Sequence, residues 1–242
     1  MKRLSILLDD IAVMRSVLSD EKIDPVRFGI LAESAGANGL VCTYSGSSKG
    51  ILERDLRLIK EINRSFFNLR LPIQPEAMRL ALSIIPDMVT FVDLKATNSR
   101  RVNPLNPDSL QNDLEQILPN LQANNIAASI LVRPEIDSLR AVSKLSIDYV
   151  EIDVSEYTIA TDINEEIVAL DKIKSAALAV GKWGIGVNCS GNIAFDDIPG
   201  LAQTPNLEDI TLGANFIQRA LLVGIQQAVK EALELIRYRE VD

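Results

Sequence analysis

The chain has 242 residues, 47% of them hydrophobic and 24% charged, with a formal charge of −8; this is the balance of an ordinary globular protein, and its acidity argues against nucleic acid as a partner because phosphate neutralisation needs a basic face. It contains no histidine, so a Ser-His-Asp triad, a Cys-His pair and a histidine-ligated zinc are all excluded. Cys42 and Cys189 form no disulfide or zinc motif, and no apolar run approaches the roughly 18 residues needed to span a bilayer.

The opening, Met1-Lys2-Arg3 before an apolar run, begins like a signal peptide, but Asp9 and Asp10 interrupt it too early. Residues 4–8 therefore read as a buried strand, and the expected compartment is the cytoplasm. From there strands and helices alternate. Strands are expected at 39–43, 67–71, 88–92, 127–132, 147–152, 183–187 and 207–212. Helices are expected at 25–35, 52–65, 75–85, 107–124, 134–145, 164–180, 194–202 and 213–239. Pro25, Pro75, Pro107 and Pro134 sit at or near helix starts, where a missing N–H costs nothing. Trp183 falls at the start of the seventh strand, at the barrel bottom. The stretch from Lys230 to Arg239 mixes both charge signs at helical spacing, as a solvated face does.

Strand then helix, repeated eight times without a linker, specifies an α/β fold: a single (β/α)₈ TIM barrel over residues 1–242. No G-x-G-x-x-G follows the first strand, which argues against a dinucleotide-binding sheet. Barrel sites lie where strands end. Those ends carry Asp9-Asp10, Thr43-Tyr44, Arg70, Asp93, Lys95, Glu151, Asp153, Asn188 and Gly213. Glu151 and Asp153 are two apart and share a face; with Asp9 they would form a carboxylate cluster opposed by Arg70 and Lys95. That cluster reads as an internal ion-pair network in preference to an Mg²⁺ site, since no spacing singles out a metal. Asp10 reads as a capping or loop carboxylate. Tyr44 and Tyr157 are expected to cover the mouth, together with the polar loops 45–50 and 96–106.

Several fragments, in order and spacing, carry a resemblance. They are Leu4-Ser5-Ile6-Leu7-Leu8-Asp9-Asp10, Asp24-Pro25-Val26, Ala32-Glu33-Ser34-Ala35-Gly36-Ala37-Asn38-Gly39 and Glu53-Arg54-Asp55-Leu56. Phe67-Asn68-Leu69, Tyr149-Val150-Glu151-Ile152, Val187-Asn188 and the stretch from Leu212-Gly213 to Arg219-Ala220 complete the set. Together they make the chain resemble the pyridoxine 5′-phosphate synthase family. The resemblance implies a barrel that condenses 1-deoxyxylulose 5-phosphate with 3-amino-2-oxopropyl phosphate, assembles as octamers built from dimers, and uses two histidines and a glutamate as acid–base groups.

Carried over residue by residue, those three positions fall on Thr43, Gly191 and Arg70, the last a reversal of charge. Other substrate-holding positions fall on Ser45, Gly50, Asn192, Leu7, Asp10 and Leu18, and one threonine falls near Arg100 or Arg101. Asp9, Glu151 and Gly213 match the family, with Asn188 and Arg219 as less diagnostic matches. Threonine is no base near neutral pH and arginine stays protonated, so standard ring closure is not expected. The reading adopted is a divergent family member that binds a phosphorylated small molecule, with no cofactor or metal called for. Glu151 is the remaining acid–base candidate. Asp9, Arg70, Lys95, Asn188, Gly191, Asn192, Gly213 and Asn215 are the candidate binding residues; the Gly213 turn would offer backbone N–H groups to phosphate. The alternatives are a non-catalytic scaffold of the same fold and a residual synthase. A homo-oligomer, dimer to octamer, is expected, with no membrane partner.

Overall fold

A computed structural model describes residues 2–94 and 102–237. Eight parallel strands close into a barrel in sequence order: β1 (Arg3–Leu7), β2 (Gly39–Thr43), β3 (Phe66–Leu71), β4 (Met88–Phe91), β5 (Ala127–Val132), β6 (Tyr149–Asp153), β7 (Gly186–Ser190) and β8 (Leu207–Leu212). Closure is made by β1 against β8, with Ile6 opposite Leu212. This is the (β/α)₈ TIM barrel expected from the alternation of elements.

Each strand alternates, as the two-residue period of a strand requires. Leu4 and Ile6, Phe67 and Leu69, Val89 and Phe91, Ile130 and Val132, Val150 and Ile152 join the hydrophobic core between sheet and helices. Their neighbours turn into the lumen, where this barrel is unusually polar: Ser5, Asn68, Arg70, Thr90, Ser129, Glu151, Asn188, Asp209 and Thr211 are all buried. Lumens of this fold are ordinarily filled by Val, Ile and Leu.

The helices are α1 (Asp9–Leu18), α2 (Pro25–Ser34), α3 (Glu53–Ile62), α4 (Pro75–Ile84), α5 (Gln111–Ala123), α6 (Ile136–Val142), α7 (Ser155–Thr158), α8 (Ile163–Lys182), α9 (Ile198–Ala202), α10 (Ala214–Val223) and α11 (Ile225–Arg237). Local chemistry starts them. Asp24 accepts from Val26 N–H at 3.0 Å ahead of Pro25, and Asp162 accepts from Asn164 and Glu165 N–H at 2.8 and 3.0 Å.

Four expectations need correction. Residues 9–18 form α1, a helix absent from the expected set, with Asp9 and Asp10 in its first turn, where carboxylates suit the positive helix end; Asp10 is thus inside the helix, one turn position past the cap or loop expected for it. The seventh strand begins at Gly186, and Trp183 instead caps the end of α8, partly exposed. The last helix is two helices, because Gly224 at φ 86° breaks it. The sixth helix starts at Ile136, two residues past Pro134.

Candidate functional site

At the C-terminal ends of the strands a cavity of about 250 Å³ opens. Its walls include Asp9 and Asp10 from α1, Arg70 from β3, Asp153 from β6, Gly191 and Asn192 after β7, and Gly213 and Ala214 at the start of α10. The structure therefore brings Asp9, Arg70, Gly191, Asn192 and Gly213 together, as a shared strand-end position requires. Val102 also lines this cavity, so the described part of the loop after β4 reaches the mouth. Lys95, Arg100 and Arg101 lie outside the described residues.

Arg70 and Glu151 form the floor. Both are buried, 2% and 0% exposed, and the Arg70 guanidinium donates to Glu151 Oε1, which also accepts from the Ser190 hydroxyl. The opposite charges face each other across the lumen, which is how two ions survive removal from water. The floor is not saturated: Arg70 Nε, Glu151 Oε2, Asn188 Oδ1, Ser129 Oγ and Thr43 Oγ1 are buried and have no hydrogen-bond partner among the described residues. Buried polar atoms left so are costly; of these five residues, Arg70 is the one that lines the cavity.

The carboxylates do not gather into one cluster. Glu151 pairs with Arg70; Asp153 Oδ1 accepts from the Ser155 N–H and hydroxyl at 3.1 and 2.5 Å; Asp9 Oδ1 accepts from Thr43 N–H at 2.8 Å. Among the described residues, no group of three such ligands is close enough to share a metal ion. Asp9, half-buried on the rim, has its carboxyl pushed up to about 6 by burial, against the pull of the Thr43 N–H and the Arg70 charge. It can exchange a proton near neutral pH, a capacity that no spacing in the sequence signals.

The anion-favouring side of the mouth is built from backbone. Gly213 stands at the N-terminus of α10, and the Ala214 and Asn215 N–H groups have no acceptor among the described residues. A Cβ at Gly191, whose φ is +138°, would come within 2.7 Å of Asp153 Oδ1 and 2.8 Å of Ser155 N, so only glycine fits this turn. Asn215 has a different part from the one expected: its side-chain amide donates to Asn192 carbonyl oxygen at 2.7 Å, tying the loop after β7 to α10. Tyr157 is buried beneath the rim against Gly200, and Tyr44 donates to Glu53 at 3.2 Å; neither lines the cavity.

The fold is shared by many unrelated enzymes, and the family is decided by likeness in sequence over nearly the whole length. Residues 4–238 match the family model "Pyridoxal phosphate biosynthesis protein PdxJ". The chain belongs to the PdxJ family. Curated relatives named pyridoxine 5′-phosphate synthase include those of Geobacter metallireducens, 31% identical, and Geotalea daltonii, 30% identical; each alignment covers 98% of this chain and 100% of the relative. Among solved structures, a tryptophan synthase from M. tuberculosis matches with TM-score 0.64 at 13% identity, covering 98% of this chain and 94% of that one. The N-(5′-phosphoribosyl)anthranilate isomerase of Pyrococcus furiosus matches with TM-score 0.61 at 14% identity, covering 98% and 99%. At such identities these two speak for the barrel fold alone.

Proposed function

We propose that this PdxJ-family barrel binds a phosphorylated small molecule at its mouth without performing the family's standard ring closure. The observation that carries the reading is the buried Arg70–Glu151 pair. Arg70 occupies the position to which the resemblance assigns a glutamate base, and it engages the retained Glu151. A ring closure needs groups that gain and lose protons at several carbons. Here an arginine that stays charged holds the floor, and Thr43 and Gly191 stand where the two catalytic histidines would be. Phosphate would be taken by the Ala214 and Asn215 N–H groups at the positive end of α10, near Arg70. Any remaining acid–base chemistry would fall to Glu151 or to the rim carboxyl of Asp9. The same reading places the protein in the cytoplasm as a homo-oligomer.

One feature favours a second reading, a non-catalytic scaffold. The Arg70 side chain fills the lumen beneath the mouth and leaves a small cavity above it.

Two measurements test the proposal. Expression in a pyridoxine auxotroph lacking its own synthase is expected to give no growth without pyridoxine; growth would show that ring closure persists. Thermal shift with inorganic phosphate and sugar phosphates is expected to stabilise the wild type but not Gly213→Asp, whose carboxylate repels the anion and blocks the amides. An added Cβ meets Leu7 at 3.3 Å, a contact to which the Leu7 side chain must yield, so an unchanged circular dichroism spectrum is required of the variant before its response is read. No stabilisation of the wild type, or an equal response in the variant, leaves the scaffold reading standing.

A further inference from the structure

The turn after β7 reaches the mouth with its carbonyl groups already engaged. Gly191 and Asn192 line the cavity there, together with Arg70, Gly213 and Ala214. Each of their carbonyl oxygens is taken by a side chain that stands outside the cavity wall. The Thr158 hydroxyl on α7 donates to the Gly191 carbonyl at 2.8 Å, and the Asn215 amide on α10 donates to the Asn192 carbonyl at 2.7 Å. Thr158 has one proton to give. The Ser155 carbonyl oxygen on its own helix is farther off, at 3.3 Å, so the hydroxyl bonds across to the neighbouring loop in preference to closing on α7.

A trans peptide is planar, and its N–H points opposite to the C=O before it. Holding the Gly191 carbonyl against α7 therefore aims the Asn192 N–H the other way, and holding the Asn192 carbonyl does the same for Ile193 N–H. Neither N–H has an acceptor among the described residues. α7 also engages a second acceptor at the mouth. Asp153 lines the cavity, and both the N–H and the hydroxyl of Ser155 donate to its Oδ1. The loop lies so close to this pair that a Cβ at Gly191 would come within 2.9 Å of Ser155 Oγ. One short helix thus occupies the carboxylate and the carbonyl that would otherwise turn lone pairs toward the mouth. An anion needs N–H groups in the wall and a cation beneath them. Arg70 is that cation: it lines the cavity, is 2% exposed, and its Nε has no partner among the described residues.

We infer that Thr158 is a positioning residue for anion binding at the mouth: by holding the Gly191 carbonyl against α7, it turns the Asn192 N–H into the cavity, opposite the Ala214 and Asn215 N–H groups. The Asn215 side chain is the second pin of the same turn. Without the pins the peptide between Gly191 and Asn192 can turn over, because glycine accepts either orientation. The reversed peptide presents a carbonyl oxygen to the anion. This rests on the phosphate reading proposed above and adds to it the side chains that set the second wall of the cradle.

The test is calorimetry with inorganic phosphate on the full-length chain, with melting temperatures measured separately in its absence. Thr158→Val keeps the side-chain shape and removes the hydroxyl. Its Kd is expected to rise about tenfold, the weight of one lost hydrogen bond and a carbonyl turned toward the anion. Thr158→Ala, too small to crowd its neighbours, should weaken binding equally. Thr158→Ser restores the donor and should stay within about twofold of the wild type. Asn215→Ala removes the other pin, keeps its own N–H, and should weaken binding about fivefold. A Thr158→Val chain that melts lower without phosphate yet binds it with the wild-type Kd would overturn the inference, since its hydroxyl would then serve the fold alone. A Thr158→Ser chain as weak as Thr158→Val would overturn it too. A wild type that binds no phosphate would remove the phosphate reading and this inference together. A wild type that binds, beside Thr158 variants that bind equally well, would remove this inference and leave that reading intact.

Discussion

The two faces of the barrel sheet are made from the same strands and do opposite work. The outward face of β3 presents Phe67, Leu69 and Leu71 to the helices; its inward face presents Asn68 and Arg70 to the lumen. Outside, contacts are apolar and cost little to satisfy. Inside, Thr90 donates to Asn68 at 2.9 Å and Ser5 to Asp209 at 2.8 Å, yet several buried atoms have no partner among the described residues. Stability thus resides on the outer face, while the inner face keeps polar groups that packing alone would not select.

The comparison breaks most visibly on the outer side. Phe67→Ala should cost about 4 kcal/mol in urea unfolding, as expected of a fully buried phenylalanine; a loss under 1 kcal/mol would place the stabilising layer elsewhere. In the lumen, Arg70→Met should cost about 3 kcal/mol because it strands the Glu151 carboxylate. Adding Glu151→Leu should recover most of that loss, since apolar residues replace a buried ion pair at little cost. A double variant no better than the single one would show that the pair contributes more than its own neutralisation.

A smaller effect sharpens the contrast through pH. Asp209 is buried deep in the lumen, and burial raises its carboxyl to about 6, against the pull of Ser5 and Arg3. A folded-state value above the unfolded one means that its contribution is most favourable below about pH 4 and is lost as pH rises through 6. Asp209→Asn should therefore gain about 2 kcal/mol at pH 7 and nothing at pH 4. Equal gains at both pH values would mean that this carboxyl titrates normally.

Much of this architecture was legible in advance because it rests on local pattern. The strands at 39–43, 127–132 and 207–212 match β2, β5 and β8 residue for residue. Periodicity misplaced β7 because Trp183 and Ile185 look like strand, whereas they belong to the end of α8 and the turn beyond it. It missed α1 because a helix opening directly on Asp9-Asp10 has no capping residue before it; Leu8 holds that place. At the site, strand-end position correctly brought Asp9, Arg70, Gly191 and Gly213 to one mouth. Partner choice was not legible: that Glu151 would take both Arg70 and Ser190 while Asp153 turned to Ser155 depends on register across β3, β6 and β7. The amide of Asn215 tying two loops has no local signal either.

The seam between β1 and β8 has a consequence for how the chain is made. Ser5 and Asp209 stand 204 positions apart, and their contact closes the barrel. During synthesis β1 emerges early and must wait for nearly the entire chain before its second edge is covered. Until then its backbone N–H and C=O groups on that side are open to any extended segment nearby, including another nascent chain. A polar residue beside the edge, Ser5, and a charged one preceding it, Arg3, make that wait safer, since an edge bearing charge recruits strangers poorly. The late seam means that a chain stopped before residue 207 carries seven strands and no closed lumen.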